Sequence, residues 1–223
     1  MIVAIDGPAA SGKSTVARAL ARRLGYRYLD TGAMYRALAE EALTSGVPLD
    51  DVEALALLAH DAHIAFEYEG DDPVYSRVTV HGRDVTRAIR TPAVDAAVSA
   101  VARIPEVRAA MVAEQRRCAE GFDVVVEGRD IGTVVFPDAE VKVYLTASPE
   151  ERASRRLRDR EGAGYREEFE KVVADIVARD EADSTRDASP LKPAKDALTL
   201  DTTGLTVEQV VDRLARIVSE RVA

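Results

Sequence analysis

The sequence predicts an α/β protein: a parallel sheet flanked by helices, with a small antiparallel insert and a helical lid. Three observations predict it. Short apolar runs of strand length alternate with stretches whose apolar residues recur every three or four positions, the order expected of βα units. Between residues 63 and 81 the apolar period changes to two, which marks paired strands of another kind. Near residue 151 a helix begins whose arginines, not its apolar residues, are the ones at helical spacing. At 223 residues and 47% hydrophobic, the chain can bury a large core and reads as one compact unit.

Met1-Ile2-Val3-Ala4-Ile5-Asp6 is the first strand, and it runs into Gly7-Pro8-Ala9-Ala10-Ser11-Gly12-Lys13-Ser14, a complete GxxxxGK[ST] loop. Glycines in such a loop let backbone N–H groups turn inward around a β-phosphate. Lys13 then reaches the β- and γ-phosphates, while Ser14 offers a hydroxyl to Mg²⁺ and, with Thr15, opens a helix whose positive end faces the anion. The expected ligand is a nucleoside triphosphate, ATP, held by residues 7–15. Val16, Leu20 and Leu24 set that helix against the sheet, and Gly25 stops it.

Tyr26 to Asp30 reads as the second strand, with helices at Gly32–Thr44 and Asp50–Asp61. His63–Glu69 and Tyr75–His81 alternate as strands around the turn Gly70-Asp71-Asp72-Pro73. Thr91-Pro92 and Pro105 begin two more helices, since proline suits a first helical position. Asp123–Glu127 and Glu140–Leu145 are buried strands ending in polar residues, where a parallel sheet collects ligands. Ser148-Pro149-Glu150-Glu151 is a helix start with its cap. Phe169–Arg179 is helical, Ala197–Asp201 a last strand, and Thr206–Val222 a closing amphipathic helix capped through Thr206 and Gln209.

The net charge of −9 opposes the broad basic face that nucleic acid or an anionic membrane needs, so anionic ligands must meet local arginines. Cys118 is the only cysteine, which excludes an internal disulfide, and the histidines at 60, 63 and 81 read as structural or exposed. With no apolar run of membrane length and no leader pattern, a cytoplasmic monomer is expected. Arginines recur at element ends: Tyr35-Arg36, Arg108, Gly128-Arg129-Asp130, and Arg179 to Arg186 with Asp180 and Asp183 between. Arg36 and Arg129 follow strand ends on the side of the phosphate loop, where a second anionic ligand requires donors. Arg152, Arg155 and Arg156, at i, i+3 and i+4, share a helix face, and Gly162-Ala163-Gly164 can hinge the segment 151–166 as a lid.

At these residues the chain resembles the bacterial cytidylate kinases. Residues 7–14, Asp30-Thr31-Gly32-Ala33-Met34-Tyr35-Arg36, Glu127-Gly128-Arg129-Asp130-Ile131-Gly132-Thr133-Val134-Val135-Phe136-Pro137 and Arg179-Asp180-Glu181-Ala182-Asp183-Ser184-Thr185-Arg186 follow in the family's order over nearly the whole chain. The resemblance implies a P-loop nucleoside monophosphate kinase fold and transfer of a phosphoryl group from Mg-ATP to CMP or dCMP. It also implies a core of 1–62, 105–150 and 167–223, with 63–104 as the insert that binds the monophosphate. Arg36, Arg129 and Arg179 are then similar to ligands of the CMP phosphate, and Tyr35 and Asp183 to sugar contacts. Ser99, Arg108, Asp130 and Arg186 are similar to residues that read the cytosine edge. Thr31 and Glu127 depart from the family's serine and aspartate but keep a hydroxyl and a carboxylate. Lys13, Arg129, Arg179, Arg155 and Arg156 are the expected catalytic groups, and Asp30 and Asp130 both offer a carboxylate to steady Mg²⁺ through water.

No nucleophilic side chain and no general base are needed, because the attacking oxygen of CMP is already anionic. Two other readings stay open from the residues: a kinase of another small acceptor on the same scaffold, or a nucleotide-driven switch. Against the switch, an N-K-x-D motif is impossible without asparagine, and the protein-kinase motifs are absent.

Overall fold

A computed structural model describes residues 1–162 and 167–222. Along the chain run β1 (Ile2–Asp6), α1 (Lys13–Leu24), β2 (Arg27–Asp30), α2 (Thr31–Thr44), α3 (Val52–Asp61), β3 (Ile64–Tyr68), β4 (Tyr75–Val80), β5 (Arg83–Asp84), α4 (Pro92–Val101) and α5 (Pro105–Ala119). There follow β6 (Val124–Gly128), β7 (Val141–Thr146), α6 (Pro149–Gly162), α7 (Phe169–Thr185), β8 (Leu198–Asp201) and α8 (Val207–Val222).

Five strands form one parallel sheet in the order β2-β6-β1-β7-β8. All five therefore end on one edge, and the register sets Asp30 beside Glu127, Asp6 beside Gly128 and Thr146 beside Asp201. The two-residue period of β1 explains the layers. Val3 and Ile5 point into a core shared with Val16 and Leu20 of α1 and Leu214 of α8, whereas Ala4 faces the opposite core of Met34, Leu38, Val98 and Met111. Fully burying a side chain of Leu or Met size stabilises the fold by about 1.5–3 kcal/mol. Between α6 and α7 sits a small third cluster of Ala153, Val172 and Ile176.

The second sheet, β3-β4-β5, is antiparallel. It has no core of its own, because Ile64, Val78 and Val80 join the α2–α4–α5 side of the main core. Its turn also covers the outer edge of β2: the Tyr28 N–H donates to the Pro73 carbonyl at 3.0 Å, and the Tyr68 hydroxyl to the Tyr28 carbonyl at 3.1 Å. Backbone groups that would otherwise stand open on an edge strand are thereby satisfied.

Three details differ from the sequence expectation. The two-residue strand β5 has no periodic signal to announce it. A π-helical turn occupies Ile131–Val135. Helix α7 continues six residues past Arg179, through the polar run Asp180–Thr185. Elsewhere the local chemistry is as read. The Ser148 Oγ accepts from the Glu151 N–H at 3.2 Å, and Thr206 and Gln209 exchange both bonds of a capping box at 2.9 and 3.3 Å. Residues 163–166, part of the expected lid and hinge, lie outside the described residues.

Candidate active site

The phosphate loop leaves β1 at Gly7, where φ is +150° and a Cβ would lie 2.0 Å from the Leu145 carbonyl oxygen. Only glycine fits there. Ala10 and Gly12 also adopt positive φ, of 58° and 88°, so the loop curls back over the first turn of α1. Lys13 is buried, and its Nζ donates to the Pro8 carbonyl at 2.7 Å. Burial and the nearby Arg129 lower its pKa to about 7, the state of a cation held close to other cations where an anion is meant to sit.

Two clefts open on either side of this loop. The first, of about 400 Å³, is lined by Lys13 and Ser14 together with Thr31, Tyr35, Arg36, Ser99, Arg108, Arg129, Asp130, Arg156, Arg179, Asp183 and Arg186. It thus gathers every residue that the resemblance assigns to the acceptor, from β2, α2, α4, α5, the β6 end and α7. The second, of about 480 Å³, runs from Ala10–Val16 to Glu151, Arg155 and Arg158 of α6 and to Thr202, Leu205 and Thr206 after β8. Gly7 and Pro8 line neither cleft.

In the first cleft several arginines meet a carboxylate or a backbone carbonyl. Arg36 Nη1 lies 2.5 Å from Asp95 Oδ1; Arg108 Nη2 lies 2.5 Å from Asp130 Oδ2 and stands 5.3 Å over the Tyr35 ring. Arg129 Nε donates to Asp183 Oδ2 at 3.0 Å, and Arg186 Nε to the Ser189 carbonyl at 2.6 Å. Unmet hydrogen-bonding capacity remains, however. The Tyr35 hydroxyl, Arg108 Nε, Arg179 Nε and Arg186 Nη2 are buried without a partner among the described residues, as expected of a site built for a polar ligand. Burial, with Arg129 and Arg36, lowers the Arg179 pKa to about 10, and burial raises that of Tyr35 to about 12. Thr31 donates to the Glu127 carbonyl at 2.7 Å, which fastens β2 to β6.

Arg152, Arg155 and Arg156 do not act as one face. Arg152 is buried and clamps α6 to the phosphate loop, with Nη1 on the Ala9 carbonyl at 3.1 Å and on Asp180 Oδ2 at 2.5 Å. Arg155 belongs to the second cleft, where it donates to the Thr202 carbonyl at 2.9 Å and the Ser11 carbonyl at 3.3 Å. Arg156 turns to the first cleft. A hundred degrees of rotation per residue separates neighbours on a helix, so positions 155 and 156 reach different walls.

Four carboxylates of the sheet edge divide into distinct jobs. Asp6, missed by sequence reasoning, accepts the Ile131 and Gly132 amides at 2.7 and 2.8 Å and so holds the π-turn; burial raises its pKa to about 6. Asp30 caps α2 through the Ala33 N–H at 2.8 Å and accepts from Tyr75 and Arg90 at 3.1 Å each. Burial alone would raise its pKa, but Arg90 and the Ala33 amide outweigh it and the carboxyl lies below the usual range. Asp130 is committed to Arg108. Glu127 is buried between the Tyr28 hydroxyl and Ser14, and burial with the neighbouring Asp30 raises its pKa. Glu127, bonded to Ser14, is thus a third carboxylate at this edge besides the expected Asp30 and Asp130. Among the described residues no cluster of three or more His, Cys, Asp or Glu could hold a metal by itself, and no helix is long and apolar enough to cross a membrane.

The family model for cytidylate kinase matches residues 3–220. The chain belongs to the cytidylate kinase family. It is 52% identical over 220 residues to a cytidylate kinase of Geobacillus kaustophilus, covering 99% of this chain and 97% of the relative. A cytidylate kinase of Rhodococcus opacus is 52% identical over 223 residues, covering 99% and 96%. Among solved structures, an uncharacterized protein from Eubacterium ventriosum shares the fold with a TM-score of 0.53 at 11% identity, over 98% of each chain. The chain is thus a phosphotransferase, and the two clefts flanking one phosphate loop are the geometry such an enzyme requires.

Proposed function

We propose that the arginine-lined cleft takes CMP or dCMP, that the cleft beside α6 takes ATP, and that the γ-phosphoryl group crosses between them at Lys13. Family membership makes the reaction the transfer of that group from ATP to CMP. The observation that carries the division of the clefts is that, among the described residues, buried, unpartnered donors line the first and none lines the second. Arg36, Arg129 and Arg179 meet the acceptor phosphate, with Tyr35 and Asp183 at its sugar. Ser99, Arg108, Asp130 and Arg186 lie where a base edge would be read, and Thr31 closes the wall beneath.

Charge builds on the phosphoryl oxygens during transfer, and fixed cations stabilise it without covalent chemistry. Lys13, Arg129, Arg156 and Arg179 line that space; Arg155 steadies the loop and the donor. Mg²⁺ would suit the oxygen donors at the loop, where Ser14 would hold it and Glu127, bonded to Ser14, would support it. When bound, it neutralises phosphate charge. The segment 63–104 serves as the acceptor-binding insert and 151–166 as the lid, in a cytoplasmic monomer that binds no nucleic acid or membrane.

Supplying Mg-ATP with CMP, dCMP, UMP, AMP, GMP and shikimate in turn, and following ADP, tests the acceptor. A buried site that hydrogen-bonds one base leaves its groups unpaired with another, so CMP and dCMP should exceed AMP and GMP by about 10⁴-fold. Equal turnover of AMP and CMP would remove the acceptor assignment.

A further inference from the structure

The acceptor cage is already occupied by an anion of the protein's own. Asp95 stands in the first turn of α4 and its carboxylate lies 2.5 Å from Arg36 Nη1. Both side chains line the same cleft as Arg129, Arg156 and Arg179, and they are only 25% and 19% exposed. The field around Asp95 is strongly positive: burial would raise its pKa, yet Arg36, Arg156 and Arg179 bring it below the usual range. It is therefore an ionised group at the position where a phosphate is expected to approach. Asp183, on α7, pairs likewise with Arg129 but also lies 3.7 Å from Arg186, toward the residues read as sugar and base contacts.

An acceptor phosphate that engages Arg36 meets Asp95 on the same guanidinium. Two anions a few ångströms apart repel, and partial burial weakens the screening. Fixed in the chain, the carboxylate needs no translational entropy to bind, so it resists small monoanions better than a phosphate dianion held by several arginines. It also stands ready to take Arg36 back when product leaves. We propose that Asp95 is an internal competitor for the acceptor phosphate, an affinity-setting residue that weakens CMP binding and hastens release from the cage. The proposal rests on the reading of Arg36 as a ligand of the CMP phosphate.

Calorimetric titration of CMP and of cytidine into the wild type, Asp95→Asn and Arg36→Ala tests it. Asparagine keeps the shape and removes the charge, and melting curves establish that each variant is folded; Asp95→Ser replaces Asp95→Asn if the latter is not. Removing one like charge should tighten CMP binding about tenfold, leave cytidine binding unchanged, and make inorganic phosphate a stronger competitor of CMP. Unchanged or weaker CMP binding, or an equal gain for cytidine, overturns the proposal. If Arg36→Ala loses CMP affinity while Asp95→Asn gains none, the proposal alone fails. If Arg36→Ala binds CMP normally, the reading of the cage fails and the proposal with it.

Discussion

The two clefts share Ala10, Lys13 and Ser14 and differ in how they handle charge. On the proposed acceptor side, arginines from three separate segments pair with aspartates, and several arginine nitrogens are buried without a partner among the described residues. On the donor side, the loop presents backbone amides, and Arg155 is spent on carbonyls of the loop and of the chain after β8. The contrast follows from what each side must distinguish. A triphosphate is recognised by a curved backbone that any nucleotide can use, whereas a monophosphate and its base require side chains converging from distant sequence. On the proposed division, specificity resides in the first cleft and the common chemistry at the loop.

Lys13 belongs to both sides, so its loss should break both. Lys13→Ala is expected to lower kcat by about 10² or more, because among the described residues Lys13 is the one cation that lines both clefts. Melting should hardly change, since Lys13 is a buried cation whose main contact is one loop carbonyl. A variant with near-normal kcat would show that the arginines of the acceptor cleft are sufficient.

The next expected effect concerns the wall of the acceptor side. Asp6 carries the turn after Gly128-Arg129-Asp130 on two amide bonds, and its pKa rises from 3.8 to about 6 on folding. Between those values the folded state binds more protons than the unfolded state, so stability falls as pH climbs through that window and stays lower above it. Two pKa units correspond to about 3 kcal/mol. Denaturant titrations from pH 4 to pH 7 should show the wild type losing up to that amount relative to Asp6→Asn, which has no proton to release. A constant difference between the two proteins would mean that Asp6 is ordinary in its titration and that the turn is held otherwise.

How much of this was legible in the chain depended on distance. The loop, its strand and its helix lie within two dozen residues, and their periods and caps announce them. That the parallel strands end at one edge is also implied, since they close in polar residues, but their order, β2-β6-β1-β7-β8, is not. Asp6 was not legible: its amide partners lie 125 and 126 residues away, and a carboxylate closing a strand looks the same whether it faces water or a distant turn. The end of α7 was missed for another reason. Asp180–Thr185 has no apolar period because Asp183 lines the first cleft and Asp180 pairs with Arg152, and it is this extension that sets Asp183 one helical turn beyond Arg179. Resemblance supplied the cleft's membership where periodicity could not; neither supplied Asp95, whose meaning appears only when α4 is folded against Arg36.

The smallest and sharpest test separates the clefts by adjacent residues. Arg155 and Arg156 have the same chemistry and neighbouring positions, yet one donates to Thr202 and Ser11 and the other lines the arginine cage. A lid that acted as one charged face would respond alike to either change. Two separate walls should not: Arg155→Ala is expected to raise the KM for ATP about tenfold, by loosening charge-assisted bonds worth about 1.5–3 kcal/mol, with little effect on the KM for CMP. Arg156→Ala is expected to lower kcat and weaken CMP while sparing ATP. Steady-state kinetics with each substrate varied in turn measures both. Closure of the segment over bound nucleotides should appear as hydrogen-exchange protection of α6 when ATP and CMP analogues are present together. Identical kinetic profiles for the two variants, with no change in protection, would show that Arg155 and Arg156 do not serve two separate walls.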